Sequence, residues 1–327
     1  MSLYLDGDLI ALDARDASAN VNFVSHAHAD HIGGIRKGVP AITSEITREL
    51  VEARKNITMT VVQPSKNMRL LNAGHILGST QLYAESKDGG YSVVYTGDFQ
   101  MQESPIAGKA ECRHADVLII DSTYPHADVT FEAKDEVITS LQRYCTAKLE
   151  KGIVLFGSFS LGKPQELITI LNEVDICPVV DSRIAKVNKV YEKHGIKLDY
   201  ICADDNAGEH DAMTKGNFVS IVENQKIRET KQMLMQRHNK RVSTAIATGL
   251  SKVFDFGLDV QFSLSDHADF AQSIEYIDAC SPKFIYTYGK EADAFAANLT
   301  RAGRAAAPMR PKTLFGDLVV ETNEATL

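Results

Sequence analysis

Four good metal ligands crowd into the stretch FVSHAHADHIGG: His26, His28, Asp30 and His31. They follow NVNFV, an apolar run that reads as a strand. Two histidines two positions apart on extended backbone direct their rings to one side. Asp30 and His31 follow where ADHIGG begins to turn, so one loop can present two ligands to one ion and two to a neighbour. Imidazole mixed with carboxylate suits Zn²⁺, and also Mn²⁺ or iron, better than Ca²⁺. Such an ion lowers the pKa of water and polarises substrate oxygens, so the chemistry indicated is metal-assisted hydrolysis.

A second chemical stretch is GSFSLGKP. It offers the hydroxyls of Ser158 and Ser160, a flexible Gly162, the cation of Lys163 and the start of a helix with Pro164 in its first turn. That combination suits a phosphate, although serine and glycine also cap helices with no ligand present. Lys226, Arg228, Lys231, Arg237, Lys240 and Arg241 form a basic run on a polar helix. It reads either as a nucleic-acid edge or as a solvated face.

The elements that must position these residues change character along the chain. The first third is strand-rich: MSLYLDGDLIALDA reads as a hairpin around an Asp-Gly turn, and NVNFVSH, TMTVVQP, MRLLNAGH, STQLYAES, YSVVYTGDF and DVLIIDSTYP read as short strands. SEITRELVEARK is a helix among them. From about Phe131 the pattern becomes α/β, with strands such as IVLFGS and NFVSIVEN alternating with helices such as KPQELITIL. After STAIATGL come VQFSLSDHADF, the helix AQSIEYIDAC, the strand KFIYTYG and an alanine-rich helix near ADAFAANLTRAG.

With 327 residues, 44% hydrophobic and 24% charged, the composition is that of a globular protein with a full core. The formal net charge of −8 gives no global basic footprint, so attraction to nucleic acid must come from a local patch or from bound metal. Five scattered cysteines with no CxxC read as reduced thiols. No apolar run approaches the ~18 residues of a membrane span, and no secretory signal is read. The expectation is a cytoplasmic protein that does not enter a membrane.

HAHADH resembles the HxHxDH motif of the metallo-β-lactamase superfamily, and later pieces appear in the right order. NAGHILGST is similar to the segment carrying that family's third zinc histidine, here His75. VVYTGDFQMQE is similar to the segment carrying its bridging aspartate, here Asp98. Asp13 matches the aspartate that supports the ligand loop. DVLIIDSTYP resembles the first signature of the β-CASP nuclease branch, with Asp121 as its acid, and FSLSDHADF resembles the second, with His267. LFGSFSLGKPQELITIL resembles the branch's phosphate-facing loop. The third signature departs: a histidine is usual, and IYTYGKE has Tyr288, a poor zinc ligand at neutral pH.

The resemblance implies a metallo-β-lactamase αββα sandwich interrupted by a compact β-CASP-like α/β domain. The expected division is 1–123 and 246–327 for the sandwich and 124–245 for the insert, with a substrate groove between them. It implies Zn²⁺ held tightly at one site and weakly at a second, with Mn²⁺ possible, through His26, His28, Asp30, His31, His75 and Asp98. Asp30, Asp121 and His267 are the expected catalytic residues. Ser158, Ser160 and Lys163 are the expected substrate contacts, and Asp13 and Tyr288 support the ligands. The implied activity is a metal-dependent nuclease, RNA-processing in preference to DNA repair, with exonucleolytic action among the modes the resemblance implies. A thioester or lactone hydrolase would keep the metal loop but has no need of Asp121 or His267. A catalytically weak RNA-binding subunit is the reading outside enzymes.

Overall fold

The opening stretch folds back on itself as expected. In the computed structural model, β1 (Ser2–Leu5) and β2 (Asp8–Leu12) form an antiparallel pair with Leu5 opposite Asp8. The structure describes residues 1–309 except 6, 36, 88, 160 and 205–215, and beyond these the backbone of 313–315 and 318–321. The chain divides into two compact units, Met1–Thr130 with His267–Leu327, and Phe131–Asp266.

The first unit contains two six-stranded sheets. One holds β1, β2, β3 (Val21–Phe23), β4 (Ala41–Ile42), β17 (Thr313–Phe315) and β18 (Leu318–Glu321), in the order β17-β18-β1-β2-β3-β4. The other holds β5 (Met68–Asn72), β6 (Thr80–Glu85), β7 (Ser92–Tyr95), β8 (Val117–Asp121), β15 (Phe284–Tyr288) and β16 (Ala306–Pro308), in the order β16-β15-β8-β7-β6-β5. Leu3, Ile10, Leu12 and Phe23 of the first sheet share one buried cluster with Leu82, Tyr95, Val117 and Ile119 of the second. The opposite face of the second sheet presents Val94, Leu118, Ile120 and Ile285 to Tyr276 and Ile277 of helix Phe270–Cys280 and to Phe295 and Leu299 of helix Ala292–Arg301. β8 is therefore buried on both faces, which is why VLIID reads as an unbroken apolar run. The layering is that of the expected sandwich.

The second unit has one all-parallel sheet: β9 (Gly152–Ser158), β10 (Val179–Val180), β11 (Ile201–Cys202), β12 (Val219–Glu223), β13 (Arg241–Ala247) and β14 (Val260–Phe262), in the order β11-β10-β12-β9-β13-β14. Helices Lys134–Leu149, Lys163–Asn172, Ser182–Lys193 and Ile227–His238 intervene along the chain, the alternation that parallel strands require. One local expectation fails. TMTVVQP forms no strand; its Val61 makes a single isolated bridge to Ala41, and the residues around it run irregularly. Met59 of that stretch is buried without a strand ladder.

Candidate metal centre

Each ligand of the first cluster stands just beyond a strand, on backbone shaped to turn it inward. His26 and His28 follow β3. His75 follows β5 and Asp98 follows β7, and each is immediately preceded by a glycine at positive φ, Gly74 at 70° and Gly97 at 55°. A side chain at Gly97 would place Cβ 2.7 Å from that of Ser25, and one at Gly74 would meet the backbone of Gln100 and Ala110 at 2.6 Å. Only glycine combines that conformation with that closeness.

His28 Nδ1 lies 3.1 Å from His26 Nε2 and 3.0 Å from His75 Nε2, and Asp98 Oδ2 lies 3.6 Å from both His26 Nε2 and His75 Nε2. All four donor atoms lie within 4.8 Å of one another, a spacing that one ion with bonds of about 2.0 Å to imidazole and carboxylate can span. His26, His75 and Asp98 are buried. Burial, with the charge of neighbouring histidines, holds His26 well below the ordinary histidine range, so it stays in the neutral form that binds metals. The donors fit a divalent ion.

Asp98 Oδ2 also lies 3.3 Å from His31 Nε2, so it can bridge to a second position. There His31 Nδ1 is bonded to Asp13 Oδ2 at 2.8 Å. Burial pushes His31 down, but Asp98 and Asp13 outweigh it and hold the ring well above the ordinary range. Two carboxylates around one ring make a place for positive charge, whether proton or metal. Asp30 completes this group loosely, with its side chain 80% exposed and Oδ2 3.7 Å from His31 Nε2.

Asp13 touches the ligand loop at several points. It sits just past β2 at φ 52°, a left-handed conformation that aspartate tolerates better than most residues. Its carboxylate accepts from the Ser25 N–H and hydroxyl and from the Tyr95 hydroxyl, besides holding His31. Ser25 Oγ also reaches His26 Nδ1 at 2.9 Å, so one aspartate steadies ligands of both positions. Ser25 and Tyr95 were not legible as site residues. Ser25 gave a weak signal, standing directly before the first histidine.

Asp121 and His267, 146 positions apart, meet: Oδ2 lies 3.0 Å from His267 Nδ1. The other oxygen of Asp121 accepts from Thr123 N–H and Oγ. The turn cap and the histidine partner are thus both served by one carboxylate. Gln100 donates to the His267 carbonyl, and His267 Nε2 lies 3.9 Å from Asp98 Oδ2. Tyr288 ends β15 opposite Asp121 in parallel register. Its hydroxyl is buried. Burial and the charges of Asp98, Asp121 and Asp13 hold the phenol well above its ordinary range, so it stays protonated.

No family model matches the chain. It is similar to a probable DNA ligase of Opitutus terrae, 28% identical over 291 residues, which cover 86% of this chain and 28% of the ligase. It is also similar to transcription termination factor FttA of Methanothermobacter thermautotrophicus, 27% identical over 252 residues, 62% of this chain and 38% of that factor. A third relative is the probable RNase MJ4 of Methanocaldococcus jannaschii, 24% identical over 214 residues, 51% of this chain and 49% of that protein. These relatives are consistent with the β-CASP branch of the metallo-β-lactamase superfamily that the motifs resemble. The chain spans less than half the length of each of these three relatives.

The branch's phosphate-facing loop is where the substrate expectation changes. Ser158 is 3% exposed, and its hydroxyl has no partner among the described residues. Ser160 lies outside the described residues. Lys163 is 5% exposed, and its ammonium bonds Glu166 at 2.5 Å and Asp266 at 2.6 Å. Burial pushes this lysine down, but Asp266 and Glu166 prevail and hold it above the ordinary range. Lys163 is thus part of an internal ion-pair network. Within the basic run, Lys226 pairs with Asp181 and Glu223, and Lys231 with Asp259. No helix among the described residues is long and apolar enough to cross a membrane.

Proposed function

We propose that this β-CASP-like chain hydrolyses phosphodiester bonds of nucleic acid. The observation that carries the reading is the Asp121–His267 pair beside the three-histidine cluster. A thioester releases a thiolate, which leaves without a proton from the protein. Breaking a phosphodiester needs a proton for a poor leaving oxygen, and a carboxylate-oriented imidazole supplies one.

His26, His28, His75 and Asp98 would hold one divalent ion, and Asp98, His31 and Asp30 a second, weaker one. Bound there, such ions supply a nucleophile at neutral pH and relief of charge on the phosphoryl oxygens. Zn²⁺ suits the first set of donors, and Mn²⁺ the oxygen-richer second. Asp30, exposed and at the mouth of the group, orients the attacking water and accepts its proton. Asp121 fixes the His267 ring through Nδ1, leaving Nε2 to deliver a proton to the departing oxygen. Asp13 and Ser25 keep the ligand loop in place throughout.

The sequence favours RNA as substrate. The relative matched over 86% of this chain is a probable DNA ligase, and Tyr288 replaces the usual histidine. Tyr288 already gives a slight lean towards DNA, and the ligase similarity adds to it and moves our preference to DNA, at strand ends that need trimming before they are sealed. The similarity to a transcription termination factor supports the RNA reading, over 62% of the chain. End-labelled RNA and DNA of matched sequence, each with Zn²⁺ and Mn²⁺ in turn, decide between them. Cleavage of DNA alone supports our preference, and cleavage of RNA alone restores the other reading. Cleavage of neither, with turnover of a thioester, refutes the nuclease.

A further inference from the structure

The motif GKPQE, which reads as a phosphate site, is wired inward. Lys134 pairs with Glu166 at 2.7 Å, Glu166 with Lys163 at 2.5 Å, and Lys163 with Asp266 at 2.6 Å. Four charges alternate in sign along this chain, all within the second unit. None of the four side chains is more than 17% exposed. Gln165, fully buried, bonds Gly162 N–H and Asn188, so the turn that carries Lys163 is fixed as well. Burying so many charges is costly and a poor way to gain stability. What such a network does well is fix one residue in one place.

The residue it fixes is Asp266, and the next residue along the chain is His267. The imidazole is held through Nδ1 by Asp121 and the His267 carbonyl by Gln100. Neither contact sets the peptide that enters the histidine from Asp266. We infer that Lys163, with Glu166 behind it, is a positioning residue for His267, acting through Asp266 and not through substrate phosphate. This rests on the proposed role of His267 and assigns the motif to the same proton-transfer step. Misplacement of a reacting group by about 1 Å can cost about 10²-fold in rate, so a loosened anchor should slow turnover on that scale.

The test is Lys163→Met, which keeps the aliphatic bulk and removes the charge, beside Lys163→Arg, which restores it. The full-length chain is loaded with Mn²⁺ and given a labelled oligonucleotide or bis(p-nitrophenyl) phosphate. For Lys163→Met we expect kcat on the oligonucleotide to fall about 10²-fold with binding unchanged. The slope of binding against salt and the metal content should also stay unchanged. The p-nitrophenyl ester, whose leaving group needs no proton, should lose far less, and Lys163→Arg should recover most of the loss. Weaker oligonucleotide binding with a salt slope smaller by about one would overturn the inference, because it marks a direct phosphate contact. Unchanged kcat also overturns it, and so does equal slowing of both substrates. Should Lys163→Met not fold, Asp266→Asn is read by the same criteria, since it weakens the same link without emptying space. A wild-type chain inert towards both phosphodiesters refutes the proposed function itself, a result distinct from all of these.

Discussion

His267→Ala tests the centre of the mechanism. Its imidazole has two environments: Nδ1 lies 3.0 Å from Asp121 Oδ2, and Nε2 lies 3.9 Å from Asp98 Oδ2. If Nε2 serves the leaving oxygen, removing the ring should keep the metal and the substrate. Turnover should fall about 10²–10⁴-fold, the scale of a lost general acid. Asp121→Asn removes a charge-assisted bond of about 1.5–3 kcal/mol, equivalent to about 10–150-fold if all of it is expressed in the transition state. Asparagine can still accept from Thr123, so the turn should survive and the loss should be kinetic. The assay pairs a labelled oligonucleotide with bis(p-nitrophenyl) phosphate and measures bound metal in the same samples. The oligonucleotide should lose the full factor and the activated ester little. The structure also shows what would refute this: Asp98, Asp121 and His267 themselves form a group able to hold an ion. If His267→Ala loses metal in step with activity, His267 is a ligand that compensates for Tyr288, and the proton must come from elsewhere.

Three further outcomes follow from the geometry. After exhaustive dialysis the chain should keep nearer one ion than two, since the first group has four convergent donors and the second relies on exposed Asp30; Tyr288→His should raise the content measured by elemental analysis towards two. Asp13→Asn keeps the tolerance for a left-handed backbone but loses the charge that holds His31, so the affinity of the second ion should fall about 10–100-fold in a metal titration. Lys283, and then the N–H and hydroxyl of Ser92, hold the carboxyl of Asp116 at about 2 against the opposing effect of burial. Folded Asp116 thus has a lower pKa than unfolded Asp116, so its stabilisation is complete above about pH 5 and declines as pH falls through about 4 towards 2. With the exposed Lys283 screened by solvent, Asp116→Asn should cost about 1 kcal/mol at pH 7 and about half of that at pH 3, by urea denaturation.

The ligand set was legible because its information is local. HAHADH is one loop, and each remaining ligand sits at the end of an apolar run where a glycine breaks the strand: Gly74 before His75, Gly97 before Asp98. The helices were legible for the same reason, since apolar spacing and caps are short-range patterns. Lys163 was not. Its partner Asp266 is 103 positions away, and no local rule distinguishes a lysine that meets a phosphate from one that meets a distant carboxylate. TMTVVQP failed in another way: the strand propensity is present, but Val61 finds one bridge partner and no ladder to extend. β-propensity expresses fit to neighbouring strands more than a preference of the residues themselves.

One oxygen ties these observations together. Asp98 Oδ2 stands 3.3 Å from a nitrogen of His31, 3.6 Å from His26, 3.6 Å from His75 and 3.9 Å from His267. The first of these rings is held by Asp13 and the last by Asp121, so each flanking carboxylate fixes a histidine that in turn faces Asp98. Burial pushes the carboxyl of Asp98 up, but the charges of His31 and His267 reverse this and keep it ionised. The two candidate metal positions and the proposed proton donor are therefore not independent sites. A neutral amide at position 98 would remove the charge towards which all four imidazoles are arranged. For that reason Asp98→Asn cannot serve as a probe of one ion, whereas Asp30 and Asp121 each act on a single flank and can be read separately.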